Sequence, residues 1–580
     1  MNKKFHPIII CLLFGFLLAT IACNAIPKKT STNIEKERIR YHIAPISENG
    51  QSLLQVQLTF KPEKTGVTKL FYKDQSWGQD SLFNVLSNFK LLDIKGTVTT
   101  NRDSNWIILN HPKNLESLRF QYHIHQDTDP QLTTRNFYRP IIQKKYFHLF
   151  GPNLFVLPNQ AVASETKLLN IDISWDNFPN DFVIHNSFGK QERQQTITNI
   201  TYPDFQSAVF LGGDFRIHPI AIKGNKVFFV IRGDWVKFDD ATMLTILEQT
   251  FTVQRDFWQD HSQDYYTVTM VPTFHERGRS FQGTGLTNSF AMAASNNEFL
   301  ELNGLIYLFN HELQHNWTGK VIKNEAEEQQ YWFSEGFTDY YTWKNIATNK
   351  IHGLGKDYFI QELNQCIRNL YTSPVKDRPN RDINYANYWS SPDYQKLPYY
   401  RGAIFAFYLD NTIKQASKGQ QSLDDLMRQF KKDAEEKGQT IEHTYFVKTA
   451  SQFVGKDIKN VFNKYIEQGT LMDLEEIFTQ FGLSFEPEAE LFDQGFQFSS
   501  DHRMVISIDS LSNAFKAGLR LGDTLSGMDM YYGNTQVPVN LQVKKGNQRI
   551  DYSFMAVKKV PIPQIKNTPQ NQHLLLGNDF

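Results

Sequence analysis

The sequence predicts a multidomain chain: an N-terminal antiparallel β-sandwich, a mixed α+β middle domain, and a small β-rich C-terminal domain. Three observations predict it. Short alternating apolar runs separated by turn residues fill residues 38–215. Strand patterns then give way to helical periodicity, which dominates 401–482. A last domain begins near Phe485, in which Gly522-Asp523 would turn into a strand containing Leu525. A length of 580 residues is also more than one core ordinarily fills.

In chain order, Asn2-Lys3-Lys4 gives a basic start, and 8–21 is an apolar run too short for a comfortable membrane span. Ala22-Cys23 follows, so 1–23 reads as a bacterial export signal. Thr20-Ile21-Ala22-Cys23 resembles a lipoprotein processing site, with Thr20 where leucine is usual. That resemblance implies lipidation of Cys23 and a chain anchored in the cell envelope, facing the periplasm or exterior. Residues 24–37 are polar and read as the tether. Of the 3 cysteines, Cys11 lies in the signal, Cys23 at its end, and Cys366 reads as buried packing. The 61 basic residues balance the 61 acidic ones, so nothing points to a nucleic-acid partner.

The β domain is expected over 38–220, in runs such as Leu53-Leu54-Gln55-Val56-Gln57-Leu58-Thr59-Phe60. His123 and His125 share one strand face without an evident third ligand, and read as packing or surface residues. The middle domain is expected over 221–484. It opens with a strand at 227–233, a helix at 241–258 and a strand at 265–272, followed by an edge element near Gly283.

His311-Glu312-Leu313-Gln314-His315 comes next. Two histidines four apart on a helix lie about 6 Å apart along the axis on one face, which suits two imidazoles on one tetrahedral zinc ion. Glu312 lies between them, placed to take a proton from a zinc-activated water. Ser295 and Glu298 stand in capping-box order, and Leu302, Leu305, Ile306, Phe309 and Leu313 give an apolar face. Gly319 is the expected helix stop. Glu335, flanked by Trp332, Phe333 and Phe337, is the expected third ligand; 323–330 reads as an exposed loop. Asp339, four residues on, is the expected partner of the other ring nitrogen of His311.

HELQHNWTGK followed by YWFSEGFTDYY resembles the gluzincin metallopeptidases, and most of all the glycyl aminopeptidase family. The resemblance spans most of the mature chain and is specific in the catalytic third. It implies a β-rich N-terminal domain, a thermolysin-like catalytic domain, a C-terminal PDZ domain, one zinc ion and a peptide or protein substrate. Nineteen residues separate His315 from Glu335, one more than in leucyl-type relatives. Leu397-Pro398-Tyr399-Tyr400-Arg401-Gly402 resembles the Y-x-K-G element of these relatives, which implies Tyr399 as the oxyanion donor, with Tyr400 the fallback. Gly283-Thr284-Gly285-Leu286-Thr287 resembles their substrate-binding edge strand, with Thr287 where a glutamate binds the free α-amine. Strict aminopeptidase activity is therefore expected to be weak, unless Glu276 or another carboxylate supplies the charge.

Residues 380–398 are rich in Asn, Asp, Pro and Tyr and read as a long connection bordering the cleft. The run from Ser512 to Asp523 resembles the helix-and-turn element of PDZ domains, and Gln494-Gly495-Phe496-Gln497-Phe498 their carboxylate-binding loop, so 485–562 is expected to be PDZ-like. Residues 563–580 read as a flexible tail. The function expected from all this is zinc-dependent peptide-bond hydrolysis with Glu312 as general base. Two alternatives are a peptide-binding envelope protein with a structural or vestigial zinc site, and a hydrolase of peptidase fold acting on another bond.

Overall fold

The computed structural model describes residues 38–190, 193–546 and 548–577. The expected signal, Cys23 and the tether lie outside the described residues. Among the described residues no helix is long and apolar enough to cross a membrane.

The N-terminal part is built of sheets. A six-stranded sheet runs Gln194–Thr201, Leu168–Trp175, Arg38–Glu48, Gln51–Phe60, Leu118–His125, Leu86–Leu92. Its inward residues, Tyr41, Ile43, Val56, Leu58, Phe120 and Tyr122, share one core with Leu70, Ile107 and Leu109 of a four-stranded sheet. Period-two burial along Gln51–Phe60 is the alternation seen in the sequence. The expectation of a purely antiparallel arrangement needs correcting, because Arg38–Glu48 pairs in parallel with Leu168–Trp175. Alternation reports which face is buried, not which way the neighbour runs. His123 is buried against Asn88 and Glu48.

The next sheet has five strands. Its order is Arg216–Ile222, Asn225–Ile231, Tyr265–Thr273, Ser289–Ser295, Phe281–Leu286, with the last strand at an edge. The first strand straddles the expected boundary at 220/221. The three central strands are parallel and buried, as their continuous apolar runs require. Helix Asp240–Trp258 covers one face through Met243, Ile246, Leu247 and Phe251. The other face packs on the N-terminal part through Val230, Val271 and Ala291 against Phe137, Phe150 and Leu211.

A helical body follows, including Leu302–Gln314, Thr338–Thr348, Lys356–Thr372, Pro392–Ala416 and Leu423–Lys437. Residues 380–398 are not the long connection expected. They hold helix Tyr385–Ser390 and the first turns of Pro392–Ala416, with Pro398 inside the helix. Burial of Leu397, Pro398 and the run from Arg401 to Phe407 outweighs the missing N–H.

The C-terminal part is a small β unit around Phe496, Val505, Leu519, Leu541 and Phe554. Helix Asn513–Ala517 starts at Ser512, whose hydroxyl accepts the Phe515 amide, and Gly518 ends it in the left-handed region. The tail is structured over most of its length, contrary to expectation. Gln564–Ile565 pairs with Phe485–Glu486, and helix Pro569–Leu576 buries Leu575, whose carbonyl accepts Lys414 Nζ at 2.8 Å. One apolar cluster in a polar segment was enough to dock it.

Candidate active site

Helix Leu302–Gln314 buries Leu305, Ile306, Phe309 and Leu313 and turns His311 and His315 toward the cleft. It begins later than the capping-box order suggests. Ser295 ends the strand Ser289–Ser295, and its hydroxyl accepts the Ser280 amide at 3.0 Å. The helix stops at Gln314, so His315 stands in the following turn, which closes at Gly319 with φ 112°.

Glu335 reaches the histidines from the next helical stretch. The segment 323–330 is not wholly loop, since helix Glu327–Tyr331 begins in it and Gln330 is buried. Trp332–Phe337 is then a π-turn, an α-helix widened by one residue, and Glu335 sits in it. Trp332, Phe333 and Phe337 pack into the core beneath. Gly336 lies against Gly402 of the tyrosine-bearing helix so closely that a Cβ on either would overlap backbone of the other stretch. That contact sets the distance between the two helices.

Three donor atoms converge. His311 Nε2 lies 3.2 Å from His315 Nε2 and 3.2 Å from Glu335 Oε2, and His315 Nε2 lies 3.6 Å from Glu335 Oε2. Ligand atoms at tetrahedral zinc with bonds near 2.1 Å stand about 3.4 Å apart, which is close to the size of this triangle. Each imidazole has its other nitrogen committed. His311 Nδ1 donates to Asp339 Oδ1 at 2.8 Å, and His315 Nδ1 donates to the Thr318 carbonyl at 3.0 Å. Both Nε2 lone pairs therefore face each other and the carboxylate, an arrangement that needs a cation between them. Among the described residues these three are the one such group of ligating side chains.

The electrostatics agree. Burial alone would lower the His311 imidazole, but hydrogen bonds and charge from Asp339 and Glu335 raise it to about 10. Burial would raise the Glu335 carboxyl, yet the two imidazoles hold it well below the usual range. The side chains together strongly favour positive charge at their centre. Tyr307 also donates to Asp339 Oδ1, at 2.5 Å, fixing the carboxylate that fixes His311.

Tyr399 stacks 6.0 Å from the His311 ring at 10°. Its phenol lies 3.5 Å from the Tyr388 hydroxyl. Burial, reinforced by the Glu335 charge, pushes its pKa well up, so it stays protonated. Tyr400, next in sequence, instead lines a cavity of about 350 Å³ behind the site with Cys366, Glu362 and Asp339. Cys366 is buried and free.

The edge strand Phe281–Leu286 faces Glu312. A Cβ on Gly285 would stand 3.8 Å from Glu312 Oε2, so glycine leaves the strand edge open beside that carboxylate. A Cβ on Gly283 would overlap the Phe290 ring. Tyr138, from the N-terminal part, donates to the Gly283 carbonyl at 3.0 Å. Leu286 is buried, and Thr287 sits in the hairpin turn, its amide donating to the Ser207 carbonyl at 2.6 Å. Glu276 is exposed, five residues before the start of this strand, and Thr287 follows its end.

Tyr138, Tyr307, Tyr388, Lys320 and the Thr318 carbonyl were not singled out from sequence. Only Tyr307, four residues before His311, carried a local signal.

Residues 240–465 match the model of the peptidase family M1 domain. The fold is similar to the crystal structure of an aminopeptidase N family protein from Idiomarina loihiensis, with a TM-score of 0.68 at 15% identity, over 93% of this chain and 100% of that one. No curated protein matches the chain. Neither finding speaks for the glycyl aminopeptidase family or for a PDZ domain. The matched segment contains both histidines, Glu312 and Glu335, and the chain is thus a zinc metallopeptidase with a gluzincin domain of peptidase family M1.

Proposed function

We propose that the chain cleaves peptides laid along Phe281–Leu286, by strand addition at the open Gly285 backbone, with Gly283, Leu286 and Thr287 shaping the ends of that edge. His311, His315 and Glu335 would hold zinc, which when bound would supply a Lewis acid and lower the pKa of water to roughly 7. Glu312 takes the proton from the attacking water and passes it to the leaving amine. Tyr399 donates a hydrogen bond to the carbonyl oxygen as charge builds on it. Asp339 and Tyr307 hold His311 in register. Thr287 is neutral, so a free α-amine is not required and N-terminally blocked peptides are substrates.

We extend the same proposal to the rest of the chain. Cys23 is lipidated and holds the enzyme at the cell envelope. Residues 485–562 are PDZ-like and bind peptide; the short helix Asn513–Ala517 and the strand Thr524–Asp529 after the turn at Gly522 support this reading.

The carrying observation is the triangle of donor atoms, 3.2, 3.2 and 3.6 Å on its sides. Chelation should abolish cleavage of an N-acetylated peptide mixture, and one equivalent of zinc should restore it. Protein that stays metal-free after equilibration with zinc, or that cleaves only free-amine peptides, contradicts the proposal.

A further inference from the structure

The turn after the metal-binding helix carries Lys320, and this inference rests on the reading of Phe281–Leu286 as the substrate edge. Lys320 Nζ donates to the Leu286 carbonyl at 2.7 Å and lies 3.4 Å from Asn316 Oδ1. Both acceptors are neutral. Two carboxylates, Glu312 and Asp204, act on the ammonium through space, but among the described residues none pairs with it in contact. Lys344, by comparison, reaches into the helical body and is held between Asp410 and Asp424. Lys344 is neutralised where it stands; Lys320 is not. Lys320 is exposed overall, but desolvation about its amine lowers it to about 8, with Glu312 and Asp204 opposing, so it carries its charge at neutral pH.

Its position is as telling as its charge. Leu286 ends the edge strand, and standard peptide dimensions put the Thr287 nitrogen within about 5 Å of the Lys320 ammonium. Gly285, one residue back, opens toward Glu312. An ammonium group has three donors, and two are occupied.

We propose that Lys320 is a substrate-binding residue whose remaining N–H takes a carboxylate of the peptide close to the scissile bond. The same charge disfavours a substrate ammonium group at that end of the cleft. The carboxylate has two possible sources: an acidic group on the N-terminal side of the bond, or the free C-terminus.

One short peptide made in four forms tests this with the full-length, zinc-loaded enzyme: both ends blocked and neutral, N-terminally succinylated, free at the C-terminal carboxylate, and free at the N-terminal amine. One anionic form should exceed the neutral form in kcat/KM by about tenfold or more, as a charge-assisted hydrogen bond implies, and which one identifies the source. The free-amine form should be slowest. The anionic preference should collapse toward unity in Lys320→Met and persist in Lys320→Arg. Equal rates for all four forms, or a preference that survives Lys320→Met, overturn the role of Lys320 alone. Absence of cleavage of every form overturns the substrate-edge reading, and this proposal with it. Should Lys320→Met not fold, the wild-type ratios and Lys320→Arg still decide.

Discussion

Helix Thr338–Thr348 touches two buried charge clusters, and they are built on opposite plans. On one side Asp339 holds His311, whose other nitrogen meets His315 and Glu335. On the other, Asp410 is fully buried and receives Lys344 at 3.4 Å, Lys414 at 2.8 Å, the Tyr340 hydroxyl at 2.6 Å and the Leu423 amide at 2.9 Å. Asp424 completes that set, 2.7 Å from Lys344. The second cluster balances itself with protein charges and closes. Among the described residues the first gathers carboxylates and lone pairs without a Lys or Arg in contact, next to Glu312 and the edge strand. One cluster contributes to stability, the other to chemistry, and the completeness of pairing tells them apart.

The sharpest way to separate the two is Glu312→Gln. It should retain one zinc and an unchanged unfolding midpoint, yet lower kcat on a blocked peptide by on the order of 10⁴. Zinc analysis, thermal denaturation and turnover on one preparation check this; near-normal turnover would remove Glu312 as the base.

Asp410→Asn should do the reverse. Removing one partner from a buried ion cluster costs about 3–5 kcal/mol of stability, with zinc affinity kept. The pH dependence has a definite sign. Burial opposes ionisation of Asp410, but Lys344 and Lys414 hold its carboxyl well below the usual range. Its contribution is therefore present above the unfolded value of about 3.9 and lost as pH falls through the lower folded value. Denaturant titrations between neutral and strongly acid pH should show that loss in wild type and a shallower one in Asp410→Asn.

Asp339→Asn has the smallest expected effect. It should weaken zinc binding about 10–100-fold, read by competition with a chelator, because His311 loses a charged acceptor while keeping a polar one. Unchanged affinity would show that Tyr307 and packing alone orient the ring.

What could be read from the sequence follows from distance along the chain. His311, Glu312 and His315 lie within five residues at the end of one helix, and Glu335 follows within a segment whose aromatic residues announce burial. Local periodicity suffices there. Tyr138 and Lys320 meet the edge strand from 145 and 34 residues away, and no pattern in either neighbourhood marks that. The strands and helix at 225–273 were legible because their apolar runs are continuous or periodic. The first turns of helix Pro392–Ala416 were hidden by Pro398, Asp393 and two tyrosines, residues that suggest a loop until their packing is known, while its part from Arg401 on was legible. Ser295 had the composition of a helix cap but belongs to a strand, since a three-residue spacing carries no information about what the sheet demands.

The hydrogen bond from Tyr138 to Gly283 reaches beyond the cleft. The family-matched segment begins at residue 240, after two of the five strands in the sheet whose edge it contains. A protein trimmed to that segment would keep every zinc ligand while losing neighbours that hold the edge strand in place. The smallest working unit of this enzyme is accordingly longer than its recognisable signature, and reaches back into the β-rich part that Tyr138 belongs to.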